Sequence, residues 1–195
     1  MLYRFLRPIV KFILHIIYRF EIDGIEKVPA DRAVLILANH ISLLDFAFIG
    51  AHIKTPISYL GKAEIAKFKP IAAFLKALGL IPIRRGKSDV NAIKNVITTI
   101  EEGRSVLIFP QGTRKKCVKI ADTNFKNGAA LIGHKAACDV VPVSITAKNM
   151  KVGIFGKITL KFGEPIFADA FCALTESEAT ALVKESIIKL AGYKE

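Results

Sequence analysis

The chain has 195 residues, which suits one domain with a single hydrophobic core. Its hydrophobic fraction is 52%, its mean hydropathy is +0.39 and its formal net charge is +12. This combination favours an anionic membrane surface or a phosphorylated small molecule as partner and argues against nucleic acid, because nucleic-acid-binding proteins usually have a less apolar chain.

Residues 1–20 form an apolar segment interrupted by basic residues. The four basic residues and one histidine of this segment fall within about a third of a helical circumference. These five residues are Arg4, Arg7, Lys11, His15 and Arg19. No apolar run reaches the ~18 residues needed to cross a bilayer. We therefore expect an amphipathic helix in the membrane interface with its basic side chains towards anionic headgroups. The alternative is an amphipathic helix packed on its own domain, and Pro8 is expected to kink it or to begin a second helix.

Beyond residue 20, strand-like and helix-like segments alternate along the chain. Residues 21–31 suggest a short strand or turn followed by a loop, and the later predicted strands lie at 33–38, 57–60, 80–83, 105–109, 140–145 and 157–162. The predicted helices lie at 41–51, 62–78, 88–102, 124–134 and 175–190. This alternation predicts a single α/β domain over residues 21–195, with a largely parallel central sheet flanked by helices. Residues 1–20 are expected to form a separate interfacial segment.

Local signals refine several of these segments. Ser88 is expected to cap the helix at 88–102, with Asp89 favourable in its first turn. Thr175 and Glu178 are spaced as a capping box at the start of the C-terminal helix. The strand at 157–162 alternates in the manner of an edge or exposed strand.

The first long strand ends in the polar sequence Asn39-His40, and Asp45 follows five residues after His40. With His40 at the strand-to-helix turn, Asp45 in the second turn of the helix can fold back towards the imidazole ring. A carboxylate that accepts from one imidazole nitrogen fixes the tautomer and leaves the other nitrogen to act as a general base. The alternative is that Asn39 caps the helix and His40 is incidental.

Two further loops follow predicted strands and carry arginine. Gly112 and Thr113 can bend the chain so that backbone amides face an anion, and Arg114 can bind phosphate through two donors. Arg84 and Arg85 offer a second such contact. Taken singly, each loop is also compatible with a turn that carries solvated arginines. In a parallel sheet these loops are expected to meet at the carboxyl ends of the strands.

Together, the ordered segments at 39–45, 79–85, 109–114 and 141–143 resemble the four motifs of the glycerophospholipid acyltransferases. The resemblance implies acyl transfer from acyl-CoA or acyl carrier protein to a lysophospholipid hydroxyl, above all that of 1-acyl-glycerol 3-phosphate, at the cytoplasmic face of the cell membrane. His40 would be the general base, Asp45 would orient it, and no cofactor is implied. The residues implied to bind substrate are Asn39, Arg85, Gln111, Gly112, Thr113 and Arg114.

The third motif departs from the family pattern, because Gln111 stands where Glu is usual. This difference leaves the acceptor open between 1-acyl-glycerol 3-phosphate, glycerol 3-phosphate and another lysolipid. A basic peripheral membrane or nucleic-acid-binding protein without catalysis is the alternative from a different class. Neither the histidines nor the cysteines Cys117, Cys138 and Cys172 have metal-ligand spacing, so no metal is expected, and the cysteines favour a reducing compartment.

Overall fold

A computed structural model describes residues 2–62, 79–83 and 89–192. The predicted helix after Lys62, the proposed cap Ser88 and the arginines Arg84 and Arg85 lie outside these residues. Within them, the strands are β1 (Arg19–Asp23), β2 (Leu35–Ala38), β3 (Ile57–Lys62), β4 (Leu80–Ile83), β5 (Ser105–Ile108), β6 (Val140–Ala147) and β7 (Lys157–Phe162). The α-helices in the same ranges are α1 (Leu2–Ile17), α2 (Asp45–His52), α3 (Val90–Glu101), α4 (Gly128–Ala136), α5 (Ala168–Cys172) and α6 (Glu176–Ala191).

The described strands form one sheet in the order β1-β7-β6-β2-β5-β3-β4. Its neighbouring strands are parallel except for β6 and β7, which are antiparallel. The structure thus confirms the predicted α/β domain with a largely parallel sheet. At its centre β2 and β5 are buried along their whole length, which accounts for the apolar sequence of β2 and of β5 after Ser105.

Of the two alternatives predicted for 157–162, an edge strand or an exposed strand, the edge strand is wrong. β1 pairs with β7 on the side away from β6, so β1 is the edge strand. The alternation in β7 arises because Ile158, Leu160 and Phe162 face the core while the residues between them are more exposed. A strand with one exposed face produces this pattern whether or not it has neighbours on both sides.

Two helices begin at different residues from those predicted. α2 starts at Asp45, four residues later than expected, because the Asp45 carboxylate accepts the backbone N–H groups of Ile41 and Ser42 and holds the preceding residues in a turn. In α3 the side chain of Asp89 accepts from the N–H of Ala92, so Asp89 is the N-cap itself.

The capping box at the start of α6 is confirmed. The Thr175 hydroxyl accepts from the N–H of Glu178, and the Glu178 carboxylate accepts from the N–H of Thr175. The start of this helix was therefore readable from two residues alone.

Helix α1 packs on α2 but leaves much of its apolar surface uncovered. Leu14 and, just after the helix, Tyr18 are buried in the core. The Arg7 guanidinium donates to the carbonyl groups of Ala51, His52 and Lys54, which lie at the end of α2. Five apolar side chains are between 43% and 69% exposed, namely Phe5, Ile9, Phe12, Ile13 and Ile16.

The structure therefore corrects the expected orientation of the basic residues, since Arg7 faces the domain. One face of this helix packs on the domain, as in the alternative arrangement, and another is apolar and open. The placement of the helix in the membrane interface stays a prediction. The helix continues through Pro8, and no second helix begins there. Among the described helices, none has both the length and the apolar character needed to cross a bilayer.

Candidate active site

The strand order places two of the three predicted loops side by side. β2 and β5 are parallel neighbours, with Leu37 opposite Ile108, and both run towards the same edge of the sheet. Asn39 and His40 leave β2 at this edge, next to the segment that leaves β5, here called the 109–115 loop. This placement agrees with the expectation that the loops meet at the carboxyl ends of parallel strands.

His40 and Asp45 form a hydrogen-bonded pair. The distance from His40 Nδ1 to Asp45 Oδ2 is 2.8 Å, and the same oxygen accepts the N–H groups of Ile41 at 2.7 Å and Ser42 at 2.8 Å. Asp45 is fully buried, whereas the His40 side chain is 15% exposed. Because the carboxylate accepts, Nδ1 carries the proton of the neutral ring and Nε2 carries the lone pair. Nε2 makes no hydrogen bond to any described residue.

The 109–115 loop holds His40 at three points. The Phe109 ring stacks on the imidazole with a centroid distance of 4.1 Å and an interplanar angle of 13°. The His40 N–H donates to Gln111 Oε1 at 2.6 Å, and the His40 carbonyl accepts from the N–H of Lys115 at 2.7 Å. Ring and backbone of His40 are thus fixed by one neighbouring segment.

Asn39 and Gln111, which the resemblance implies to bind substrate, are buried and make internal hydrogen bonds. Asn39 Nδ2 donates to the carbonyl of Ile145 at 2.8 Å, and Asn39 Oδ1 accepts the Ile145 N–H at 2.7 Å, so this side chain ties β2 to β6. Gln111 Nε2 donates to the hydroxyl of Thr123 at 2.7 Å. Sequence reasoning missed Thr123, since nothing in the local pattern links it to a residue 12 positions earlier.

The turn at Gly112 determines which backbone N–H groups are open to an anion. Gly112 has a φ of +67°, and its N–H donates to the carbonyl of Phe109 at 2.9 Å, so the turn itself uses this amide. The next two residues, Thr113 and Arg114, are exposed, and their backbone N–H groups donate to none of the described residues. The backbone N–H groups that are open to an anion are therefore those of Thr113 and Arg114, which follow Gly112 in the loop.

An apolar groove that the sequence did not predict lies between α1, α2 and β3. It encloses about 70 Å³, and its lining includes Leu6, Val10, Phe46 and Tyr59. The rings of Phe46 and Tyr59 stack at 4.8 Å. Burial raises the pKa of Tyr59 to about 12, so the phenol is neutral at physiological pH, and its hydroxyl has no partner among the described residues.

Several acyltransferases are similar to this chain in sequence. The 1-acyl-sn-glycerol-3-phosphate acyltransferase of Bacillus subtilis is 30% identical over 189 residues, which cover 95% of this chain and 93% of that protein. The lyso-ornithine lipid O-acyltransferase of Pseudomonas aeruginosa is 38% identical over 96 residues, which cover 48% of this chain and 36% of that protein. The chain spans about half of a chloroplastic 1-acyl-sn-glycerol-3-phosphate acyltransferase of Arabidopsis thaliana, to which it is 28% identical over 87% of its own length.

The fold is also that of a solved structure. The crystal structure of the 1-acyl-sn-glycerophosphate acyltransferase of Thermotoga maritima matches 98% of this chain and 80% of its own, with a TM-score of 0.77 and 24% identity. A family model described as Acyltransferase matches residues 19–146, a range that includes His40, Asp45 and the whole 109–115 loop. The chain belongs to the acyltransferase family.

Proposed function

We propose that the protein transfers a fatty acyl group from acyl-CoA or acyl carrier protein to the free hydroxyl of 1-acyl-glycerol 3-phosphate, which yields phosphatidic acid. The observation that carries this proposal is the 2.8 Å contact between His40 Nδ1 and Asp45 Oδ2, with Nε2 open beside the 109–115 loop. The activity named for the Bacillus subtilis relative, which aligns over nearly the whole chain, supports this acceptor.

The reaction needs one base and no covalent enzyme intermediate. His40 Nε2 takes the hydroxyl proton of the acceptor while the oxygen attacks the thioester carbonyl carbon. The tetrahedral intermediate then expels the carrier thiolate, which receives the proton from the imidazolium and leaves as a thiol. Asp45 Oδ2 accepts from His40 Nδ1 and from the N–H groups of Ile41 and Ser42, so the carboxylate orients the ring and its charge stabilises the imidazolium. A positioned base of this kind contributes a factor of ~10² to 10⁴.

The acceptor phosphate is proposed to bind at Thr113 and Arg114. Their two open amides and the exposed Arg114 guanidinium give neutral and charged donors on the same loop that holds His40. A phosphate bound there would place the glycerol hydroxyl near Nε2, so that binding of the phosphate orients the hydroxyl for attack. Arg85, which lies outside the described residues, is proposed from the family resemblance as a second phosphate ligand.

The acyl chain of the donor is proposed to enter the groove between α1, α2 and β3. Phe46 lines this groove and directly follows Asp45, so a chain lying there would begin close to the base. The groove has almost no polar surface, which suits an alkyl chain and disfavours the phosphates of the carrier.

Helix α1 is proposed to bring the site to the membrane through its open apolar face rather than through all of its basic residues. The exposed side chains of Phe5, Ile9, Phe12, Ile13 and Ile16 supply the apolar contact, and the net charge of +12 attracts anionic lipids. Lys11 and Arg19 remain exposed and can reach headgroups. Free cysteines at 117, 138 and 172 support a location at the cytoplasmic face.

The proposal is tested by measuring release of the carrier thiol in detergent micelles. The wild type is compared with His40→Ala and with His134→Ala, which removes a half-buried histidine on α4, far from the site in sequence. We expect release by the wild type and His134→Ala to depend on 1-acyl-glycerol 3-phosphate, and His40→Ala to be silent.

The acceptor panel includes glycerol 3-phosphate and a lyso-ornithine lipid, the latter because of the Pseudomonas aeruginosa relative. Faster release with either of these would replace the proposed acceptor but keep the reaction. Silence with every acceptor and with both carriers would contradict acyl transfer and favour a basic peripheral protein without catalysis.

A further inference from the structure

We infer that Gln111 and Thr123 are positioning residues that hold the general base and that neither contacts the acceptor. Gln111 is 3% exposed and Thr123 is 2% exposed. Both are therefore hidden from a substrate that approaches His40, although Gln111 lies within the motif that the family resemblance assigns to substrate binding.

The orientation of the Gln111 amide is fixed by its two neighbours. The His40 N–H can only donate, so the atom at 2.6 Å from it must be Oε1. Nε2 then faces the Thr123 hydroxyl at 2.7 Å, and that oxygen must accept. The hydroxyl proton goes on to the carbonyl of Ile120, also at 2.7 Å. Every donor in this chain of bonds meets one acceptor, so the network has one low-energy arrangement.

This network fixes the backbone on which the base is mounted. Gln111 holds the N–H of His40, and four residues later Lys115 holds its carbonyl. A shift of the Gln111 side chain would thus move the His40 ring against Phe109 and misplace Nε2. Such a shift acts on the rate of proton transfer and leaves the phosphate contacts of Arg114 in place.

The network also explains what glutamine does where glutamate is usual in the family. A carboxylate at position 111 would still accept from the His40 N–H, but its second oxygen would require the Thr123 hydroxyl to turn away from Ile120. It would also add a buried negative charge next to the backbone of His40. Glutamine satisfies both neighbours without a charge, so the hydroxyl of Thr123 is matched to the amide and not to the acceptor.

The experiment measures kcat, the acceptor KM and the exchange of the His40 amide hydrogen for deuterium in four variants. Gln111→Leu removes the hydrogen-bond acceptor; we expect kcat to fall at least ~10-fold with the acceptor KM within about twofold, and the amide to exchange at least ~10-fold faster. Gln111→Glu restores the acceptor, so kcat should recover to within about threefold of the wild type.

The variants Thr123→Val and Thr123→Ser keep the inference testable if Gln111→Leu fails to fold. Thr123→Val should lower kcat in the same direction as Gln111→Leu but by less, because Gln111 keeps its bond to His40, whereas Thr123→Ser should resemble the wild type. A raised acceptor KM with unchanged kcat in Gln111→Leu would overturn the inference, and so would an unchanged exchange rate of the His40 amide. The kinetic prediction rests on the proposed function; the exchange measurement does not, and it decides the structural role even if the wild type transfers no acyl group.

Discussion

The active-site edge and helix α1 use their side chains in opposite ways. At the edge, polar side chains point inward: Asn39, Asp45 and Gln111 are buried and bonded to backbone groups. On α1, large apolar side chains such as Phe5 and Phe12 point outward. The edge is therefore ordered by hydrogen bonds, although Asp45 Oδ1 is buried without a partner among the described residues. Helix α1 instead exposes apolar side chains on which a partner can pack.

Residue type alone does not show what role a side chain has in either region. A motif names the polar residues of a site, yet only the fold decides which of them face the substrate and which hold the backbone. Helical periodicity identifies residues that share a face, yet Arg7 shows that the face with the charges can be the one that packs on the protein.

The largest effect is expected from Asp45→Asn. The amide oxygen would still accept the N–H groups of Ile41 and Ser42, but the neutral side chain would remove the charge that stabilises the imidazolium. We expect kcat to fall by at least ~10²-fold in the thiol-release assay. Asp122→Asn, which changes an exposed carboxylate, is the matched control. Activity of Asp45→Asn within about threefold of the wild type would remove this carboxylate from the mechanism.

Asn39→Ala tests whether the first residue of the motif is structural. Removal of the amide leaves the buried N–H and carbonyl of Ile145 without their partners, so we expect the free energy of unfolding in urea to drop by roughly 2 to 4 kcal/mol. Asn95→Ala, on the exposed face of α3, should cost much less. Unchanged stability with a raised acceptor KM would instead return Asn39 to the substrate site.

The open face of α1 is tested by the double variant Phe5→Glu/Phe12→Glu. Each phenylalanine that enters lipid contributes about 1.5 kcal/mol or more, so we expect binding to anionic vesicles to weaken by ~10²-fold, with little change in Tm. Leu182→Glu, a similar change on α6, should leave vesicle binding intact. Deletion of residues 1–20 is a poorer test, because it also removes the buried side chains of Leu14 and Tyr18.

Arg7→Ala separates a structural contact from a lipid contact. Loss of the donors to Ala51, His52 and Lys54 should lower the free energy of unfolding by ~1 kcal/mol, since these contacts are partly exposed to water. Urea unfolding of Arg7→Ala beside Arg7→Lys checks this expectation. The opposite result, weaker vesicle binding at unchanged stability, would show Arg7 facing headgroups as the sequence pattern suggested.

The smallest effect is the pH dependence at His52, which joins α2 to α1. Burial lowers the pKa of His52 below its ordinary value of 6.5, and nearby Lys11 and His15 act in the same direction. The unfolded chain therefore takes up this proton more readily, so stability is lost as the pH falls from about 6.5 towards the lowered pKa. We expect the urea midpoint to fall less between pH 7.5 and 5.5 in His52→Gln than in the wild type. An equal fall in both would show that His52 is not involved.

Much of this arrangement was readable from sequence, and the remainder depends on contacts between distant segments. Apolar runs and the Thr175 capping box are local signals, and they located β2, β5 and α6 well. The pair of His40 with Asp45 was also predicted, although the start of α2 was not. The position of β7 and the link from Gln111 to Thr123 depend on which distant segments become neighbours in the fold. Local sequence patterns do not predict these neighbours.

His40 and Asp45 are proposed to act as one unit, and a double-mutant cycle in the thiol-release assay measures the coupling between them. The cycle compares the wild type, His40→Ala, Asp45→Asn and the double variant at saturating acceptor. If Asp45 acts only through His40, the double variant should be as slow as His40→Ala alone, because the carboxylate then has no base to orient. If the fold-losses of kcat in the two single variants multiply in the double variant, the two residues contribute independently, which contradicts the proposal that they act as one unit.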